Sequence, residues 1–460
     1  MSTAAYRTAP TSSHRTPGGI PYIVANEAAE RFSYYGMRAI LVVFMTRYLV
    51  DSSGAPDVMT DAQAKSWYHL FSSAVYFTPL LGALLSDIYL GKYRTILILS
   101  GVYCLGHLVL ALDDTRVGLA AGLGLIAVGS GGIKPCVSAH VGDQFGASNG
   151  HLLGRVFGYF YFAINLGAFA STLLTPILLE YSGPQLAFGL PGGLMFLATV
   201  VFWAGRKEFI HVPPAGRAFT QQLFSAEGLS AVGRLAIIFA FVAMFWALFD
   251  QTGSAWVLQA QVMDRNFMGM EWLPSQVQAI NPVLILILIP VFNFWIYPWV
   301  GRWAEPTPLR KIACGFFITV LAYLLSAQIE TWIAAGETPS IAWQLAAYLV
   351  LTSAEVLISI TCLEFAYTQA PRALKSMVMA LFLLSVSLGN LFTAAVNFLI
   401  QDAQGQTRLI GPDYYLFFAG AMFLTALAFV PVSMRYPEKT YLQEETGDPP
   451  HGDPTTSHAH

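Results

Sequence analysis

Charged side chains are scarce in this chain. Only 11% of its 460 residues are Asp, Glu, Lys or Arg, whereas a soluble domain carries about 25%. Hydrophobic residues make up 55% of the chain, and the mean hydropathy is +0.55. So few charges cannot cover a water-exposed surface, which excludes a soluble enzyme and a disordered chain. The net charge of -3 argues against nucleic acid as a partner, because binding phosphates needs a basic face, and we expect no nucleic acid partner. We therefore expect an integral membrane protein in contact with the lipid bilayer.

Cysteine and recognisable targeting or catalytic motifs are also sparse. The four cysteines lie in apolar stretches without C-x-x-C spacing, so no disulfide framework or zinc site is predicted. The polar N-terminal sequence MSTAAYRTAPTSSHRTPGG lacks the apolar core of a signal peptide, and the first hydrophobic segment is expected to direct insertion. H-E-x-x-H does not occur, and the G-x-S-x-G match GASNG at 146–150 lies between two apolar segments and not between a strand and a helix, which argues against a membrane-embedded peptidase.

Long apolar segments dominate the rest of the sequence. Twelve of them approach the roughly 20 residues that a spanning helix needs. The longest polar connection, RKEFIHVPPAGRAFTQQLFSAEG, separates the first six segments from the last six. The sequence therefore predicts an all-α membrane protein with two six-helix halves and disordered tails. The predicted regions are a tail (1–18), an N-terminal bundle (19–205), a linker (206–228), a C-terminal bundle (229–436) and a second tail (437–460).

The distribution of basic residues predicts the orientation. If the N-terminus is cytoplasmic, most of the 24 lysines and arginines fall in cytoplasmic segments, as the positive-inside rule requires. Both termini are therefore expected in the cytoplasm.

The first apolar segment, NEAAERFSYYGMRAI, carries an unusual number of polar groups. Ionisable side chains at membrane depth are costly, so each is by default a functional hypothesis. At 100° per residue these groups form one continuous face of a helix. A ladder of salt bridges between helices is the structural alternative. We favour a water-filled cavity that binds a charged ligand. The face comprises Glu27, Glu30, Arg31, Tyr34, Tyr35 and Arg38.

Further polar groups interrupt other apolar segments. A lysine can extend to the interface, a lone amide can bond a neighbouring helix, and a buried histidine is often only a satisfied core residue. As a set, however, the first half supplies the cations and the second half the acids. Such a cavity suits a zwitterion whose ammonium and carboxylate lie several ångströms apart, with Tyr34, Tyr35, Tyr76 and Trp246 covering its middle. The further polar groups are His69, Lys134, Asn165, Asp250, Asn281 and Glu355.

Several longer motifs resemble one known family. They are NEAAERFSYYG, GALLSDIYLGKYRTI, GSGGIKPCVSAHVGDQF, FYFAINLGAF, FWALFDQTGSAW and EVLISITCLEFAYTQAP. Together they resemble the proton-dependent oligopeptide transporter (POT) family of the major facilitator superfamily, along nearly the whole membrane region. The resemblance implies the major facilitator fold.

The resemblance also implies roles for individual residues. Arg31, Arg38 and Lys134 correspond to residues that engage the peptide carboxylate and form a salt-bridge network with Glu27 and Glu30. Asn165, Asn281 and Glu355 correspond to contacts with the peptide amide or amino group, and Tyr34, Tyr35 and Tyr76 to the walls of the site. His69 and Asp250 match a histidine of helix 2 and an acid of helix 7. With Glu27 and Glu30 they are expected to couple protons, and Asp250 to pair with Arg38 or protonated His69.

Departures from the family pattern refine this expectation. The linker is too short for the two extra helices of many bacterial members, and QIETWIAAGETPS cannot encode the large extracellular domain of animal members. Both points favour a bacterial twelve-helix member. Phe382 stands where the family has a tryptophan in the substrate site, so side-chain preference does not carry over.

The resulting hypothesis is a monomeric symporter that imports di- and tripeptides with protons across the bacterial inner membrane, without a cofactor. A transporter of nitrate or another small anion is the alternative on the same fold. A channel is disfavoured because channels use rings of like residues, whereas these charges oppose each other across one cavity.

Overall fold

Helices account for almost all of the regular structure. A computed structural model describes residues 6–10, 12–146, 148–214, 216, 225–368, 375–402 and 407–436. One helical stretch, Leu153–Ala204, breaks at Gly183, where φ is 82° and ψ is 175°; we label its two parts α5 (153–182) and α6 (184–204). The other helices are α1 (Ile20–Arg47), α2 (Asp61–Leu85), α3 (Lys92–Leu112), α4 (Arg116–Asp143), α7 (Ala226–Phe249), α8 (Ala255–Ala260), α9 (Ile280–Val291), α10 (Tyr297–Val300), α11 (Pro308–Ala334), α12 (Ala342–Glu355), α13 (Thr361–Thr368), α14 (Lys375–Leu399) and α15 (Pro412–Arg435).

These helices supply the expected number of spans. Within the described residues, 10 helical stretches are long and apolar enough to cross a membrane. One of them, Gly150–Lys207, has 58 residues and contains the break at Gly183, so it provides two spans. The charged helix α1 is not among the 10, although its 28 residues extend about 42 Å at 1.5 Å per residue. Together they make the twelve spans that the sequence predicts, and the all-α membrane fold is confirmed.

The break at Gly183 joins α5 to α6 without a loop. Glycine tolerates the left-handed region that this reversal needs, and Pro184 follows it in the sequence. Two hydrogen bonds hold the reversal to earlier connections. The Gln185 amide donates to Asp114 at 2.7 Å, and the Tyr48 hydroxyl donates to Glu180 at 3.5 Å.

Short irregular elements lie between the helices of the second half. Strand β1 (Asn266–Phe267) pairs antiparallel with β2 (Met270–Glu271), after α8 and ahead of a 3-10 turn, Pro274–Ala279. A 3-10 turn, Asp250–Gly253, separates α7 from α8, and a π turn, Val356–Ile360, separates α12 from α13. The last two interruptions adjoin the cavity described below.

Packing divides the buried apolar side chains into two large clusters. One comes from residues 20–209 together with Val257, and the other from residues 235–429. Tyr76 packs against both. Where helices cross closely, small residues allow the approach, as where Gly82 of α2 faces the backbone of Gly131 and Gly132 in α4.

Apart from those in the middle of the molecule, the described hydrogen bonds between these two parts of the chain lie on one side. That side carries the α1–α2 and α5–α6 connections and is opposite the N-terminal tail. These bonds are Arg47 to Gln261 at 2.7 Å, Gln401 to Ser66 at 2.9 Å, Gln276 to the Leu173 carbonyl at 3.0 Å and Gln278 to the Ala39 carbonyl at 3.2 Å. We call this side the closed face.

The N-terminal tail packs on the opposite side. The ring of Tyr6 stacks on His211 with 4.2 Å between centroids, and the His211 amide donates to the Arg7 carbonyl at 2.7 Å. The Asn149 side chain donates to the Arg15 carbonyl at 3.2 Å. The expected disorder of this tail is therefore wrong for residues 6–10 and 12–18. The predicted tail 437–460, and residues 217–224 of the linker, lie outside the described residues.

Candidate functional site

A central cavity lies between the two apolar clusters. Its volume is about 350 Å³, within the range typical of small-molecule sites. Helices from both parts of the chain contribute to its wall. Eight of the predicted residues line it: Tyr35, Arg38, Tyr76, Asn165, Trp246, Asp250, Asn281 and Glu355.

An ion pair closes one end of this cavity. The Arg38 guanidinium of α1 donates to Asp250 Oδ1 at 2.5 Å, and the two side chains are 12% and 3% exposed. Asp250 reaches this position because α7 ends at Phe249 and Asp250 begins the 3-10 turn. The guanidinium also lies 5.4 Å from the ring centroid of Tyr68. Since Arg38 belongs to the first six-helix part of the chain and Asp250 to the second, this ion pair joins the two parts.

His69 is linked to Asp250 through a third residue. Its Nδ1 lies 2.7 Å from the side-chain oxygen of Asn390, and its Nε2 lies 2.9 Å from the Ser254 hydroxyl. The Asn390 amide donates to the second oxygen of Asp250 at 2.5 Å. Of the two partners expected for Asp250, the structure therefore has Arg38 in direct contact and His69 one residue away.

Glu355 provides a second carboxylate on the cavity wall. It is the last residue of α12, directly before the π turn. The Asn281 amide donates to Glu355 at 2.8 Å and to the Thr352 hydroxyl at 3.2 Å. Among the described residues, no cation lies within salt-bridge distance of Glu355. The wall thus presents a carboxylate that lacks a cationic partner within the protein.

A second charged group lies behind the cavity wall. Arg31 Nε lies 2.7 Å from Glu27 and 3.3 Å from Glu30. Lys134 Nζ is buried and has no hydrogen-bond partner among the described residues, and it lies 3.8 Å from the ring centroid of Tyr34. Buried polar atoms are normally paired, so an unpaired ammonium beside acids marks a site of incomplete charge balance.

Seven predicted residues do not line the cavity. Phe382 packs its ring 5.9 Å from Phe239 and 6.1 Å from Trp246, so it supports the wall from outside. Tyr34 is fully buried beside Tyr35, with 5.4 Å between ring centroids. The seven are Glu27, Glu30, Arg31, Tyr34, His69, Lys134 and Phe382.

Three further residues belong to the site but are not predicted by any sequence pattern described above: Asn390, Tyr68 and Ser254. Asn390 is an amide inside the apolar helix α14, the same kind of signal that singled out Asn165. Tyr68 has no such signal, and its proximity to Gly253, where a Cβ would collide with the Tyr68 hydroxyl, is visible only in the structure. The partners themselves are set by long-range packing and not by local spacing.

Comparison with known proteins decides the family. The POT family pattern matches residues 93–226 and 225–412. The chain belongs to the POT family. It is 38% identical over 361 residues to Peptide transporter family 1 of Drosophila melanogaster, covering 68% of this chain and 48% of that protein. It is 38% identical over 365 residues to human Solute carrier family 15 member 2, covering 68% and 49%. The chain thus spans about half the length of these curated relatives.

A crystal structure of a POT family member shares the whole fold. It is described as an auto-inhibited POT family peptide transporter, with 37% identity, a TM-score of 0.83, and coverage of 93% of this chain and 99% of that chain. The POT family is one of multi-pass membrane transporters and not of enzymes. The resemblance inferred from the motifs is therefore confirmed, while the roles of single residues in this POT protein stay predictions.

Proposed function

We propose that this POT protein imports di- and tripeptides together with protons, by alternating exposure of the central cavity to the two sides of the membrane. The moving units are the bundles 19–205 and 229–436, joined by the linker 206–228. We place it as a monomer in a bacterial inner membrane, with both termini in the cytoplasm and with the proton as coupling ion in place of a cofactor. The closed face then points away from the cytoplasm.

The observation that carries this proposal is the carboxylate of Glu355 on the cavity wall. Its only described polar partner is the neutral amide of Asn281, so it attracts a positively charged ligand group. The cations Arg38 and Lys134 come from α1 and α4 of the other bundle. A peptide carries an ammonium at one end and a carboxylate at the other, which matches acids and bases on opposing bundles. Nitrate has no group for Glu355 to bind.

The remaining residues then take consistent roles. We assign Arg31, Arg38 and Lys134 to the peptide carboxylate, Asn165 and Asn281 to the peptide amide, and Glu355 to its amino group. Arg31 and Lys134 act on the cavity from behind, through the low dielectric of the tyrosine wall. Tyr34, Tyr35, Tyr76, Trp246 and Phe382 form or support that wall, and Glu27, Glu30, His69 and Asp250 couple the proton.

Uptake into proteoliposomes tests the proposal. Radiolabelled dialanine, alanine and nitrate are supplied with and without an inward proton gradient. We expect gradient-dependent accumulation of dialanine, little uptake of alanine, and none of nitrate. A protonophore, added as the control, should abolish accumulation. Accumulation of nitrate without dialanine would replace the proposal by the anion transporter, and uptake indifferent to the gradient would remove proton coupling.

A further inference from the structure

A fully buried amide, the side chain of Asn390, joins His69 to the Asp250 carboxylate of the ion pair. Asn390 of α14 has no exposed surface. Its Nδ2 donates to Asp250 at 2.5 Å and to the Val386 carbonyl at 3.0 Å, while its oxygen lies 2.7 Å from His69 Nδ1. One side chain from α14 thus bridges α2 of the first bundle and Asp250 of the second.

The chemistry of these partners fixes the hydrogen positions. An ionised carboxylate only accepts hydrogen bonds, so the NH₂ group of Asn390 must face Asp250. The amide oxygen then faces His69, whose Nδ1 must carry a hydrogen to donate. In the neutral imidazole the other nitrogen, Nε2, is therefore an acceptor, and it receives the Ser254 hydroxyl at 2.9 Å.

We propose that Asn390 is the positioning residue for proton coupling: it fixes the His69 tautomer, so that a proton is received on Nε2, and it links His69 to the Asp250 carboxylate. This inference rests on the proposed function. When the proton arrives, Nε2–H donates to Ser254, whose hydroxyl hydrogen turns to the Gln251 carbonyl 3.5 Å away. The step forms one N–H bond on Nε2 with a proton released by water from the outer side, rearranges these two hydrogen bonds, and leaves the proton on His69.

Other charged groups face this network from each neighbouring helix. They are Arg38 from α1, Lys65 from α2 and Glu355 from α12. The phenols of Tyr34, Tyr68, Tyr76 and Tyr323 also lie within electrostatic range of Asp250. Arg38 is the base in direct contact with Asp250. Asn390 is the described neutral group that touches both His69 and Asp250, so its replacement changes their coupling without removing a charge.

The test is the pH profile of uptake in Asn390→Leu, which keeps the approximate volume and removes both hydrogen bonds. Asn397→Leu is the matched control, because Asn397 is a buried amide of the same helix that bonds the Thr393 carbonyl at 2.8 Å and the Tyr414 hydroxyl at 3.1 Å. Exchange of labelled for unlabelled dialanine without a gradient shows that each variant folds and binds peptide.

We expect Asn390→Leu to exchange peptide while its proton-driven uptake becomes half-maximal about one pH unit lower, a tenfold change in proton affinity. The Nδ1–H of protonated His69 has lost its acceptor, so His69 takes a proton less readily. Asn397→Leu should keep the wild-type profile. Asn390→Asp, which places a negative charge beside His69, should move the profile in the opposite direction, to higher pH.

An unchanged profile in the Asn390 variants that still exchange peptide would overturn the inference. Loss of exchange in both would also overturn it, since a residue that positions only the proton does not abolish exchange. If the wild-type protein itself fails to take up dialanine, the proposed function fails instead, and the two failures are thereby distinguished.

Discussion

Replacing Asp250 with asparagine should separate peptide exchange from peptide accumulation. The substitution keeps the shape but leaves the Arg38 charge without its partner. Breaking a buried ion pair in this way costs about 3–5 kcal/mol. The Tyr68 ring lies 5.4 Å from the guanidinium with or without the Asp250 carboxylate, so this cation–π contact does not offset the loss. The loss falls on the state with a closed face, whose population should therefore drop roughly 160- to 4,700-fold relative to the open one.

Reconstituted vesicles measure this effect in two assays. In the first, Asp250→Asn should retain exchange of labelled for unlabelled dialanine, because the cavity and Glu355 are intact. In the second, it should fail to concentrate dialanine under an inward proton gradient, because the acid that links Arg38 to Asn390 and His69 is gone. Asp57→Asn is the control, since Asp57 pairs with Arg116 at 2.7 Å within one bundle, with both side chains partly exposed at 41% and 39%. Accumulation by Asp250→Asn equal to wild type would refute the reasoning and move the proton site to Glu27 or Glu30.

Three further predictions concern other parts of the molecule. Lys134→Ala leaves Glu27 and Glu30 short of a nearby cation, so gradient-driven uptake should vanish while thermal unfolding remains cooperative; wild-type uptake would exclude Lys134 from the mechanism. Glu355→Gln should weaken dipeptide binding about tenfold or more but leave the affinity for the N-acetylated analogue almost unchanged. Calorimetry measures both affinities, and an equal loss for the two ligands would mean that Glu355 does not bind the amino group. Partial burial lowers the pKa of His211 below its usual 6.5, so the docked tail favours neutral His211 and should loosen as pH falls through about 6.5. Hydrogen exchange at the His211 amide should show this, and a similar pH dependence in His211→Phe would contradict it.

The architecture could be predicted from the sequence because its causes are local. A bilayer demands about 20 apolar residues per span, and hydropathy along the chain reports them directly. Helix α1 was harder, since its charges keep it out of the clearly apolar stretches. Its charged face was nevertheless readable, because helical periodicity alone places Glu27, Arg31 and Arg38 on one side.

The arrangement within the site could not be predicted in the same way. Periodicity puts Tyr34 and Tyr35 on one polar face, yet only Tyr35 lines the cavity, since Tyr34 packs against Lys134 of α4. Likewise, the link from His69 to Asp250 through Asn390 depends on how α2, α7 and α14 meet. These contacts join residues hundreds of positions apart, and a single sequence carries no measure of that packing.

The loop-free reversal at Gly183 has a consequence for how the protein is made. With a single residue between α5 and α6, the ribosome delivers the two spans too close together for separate release from the insertion machinery. They therefore enter the bilayer as one helical hairpin. The segments that contain Tyr48 and Asp114 have already been synthesised by then, so Glu180 and Gln185 at the hairpin tip can form their hydrogen bonds at once. The first bundle can thus assemble during translation, before the second bundle leaves the ribosome.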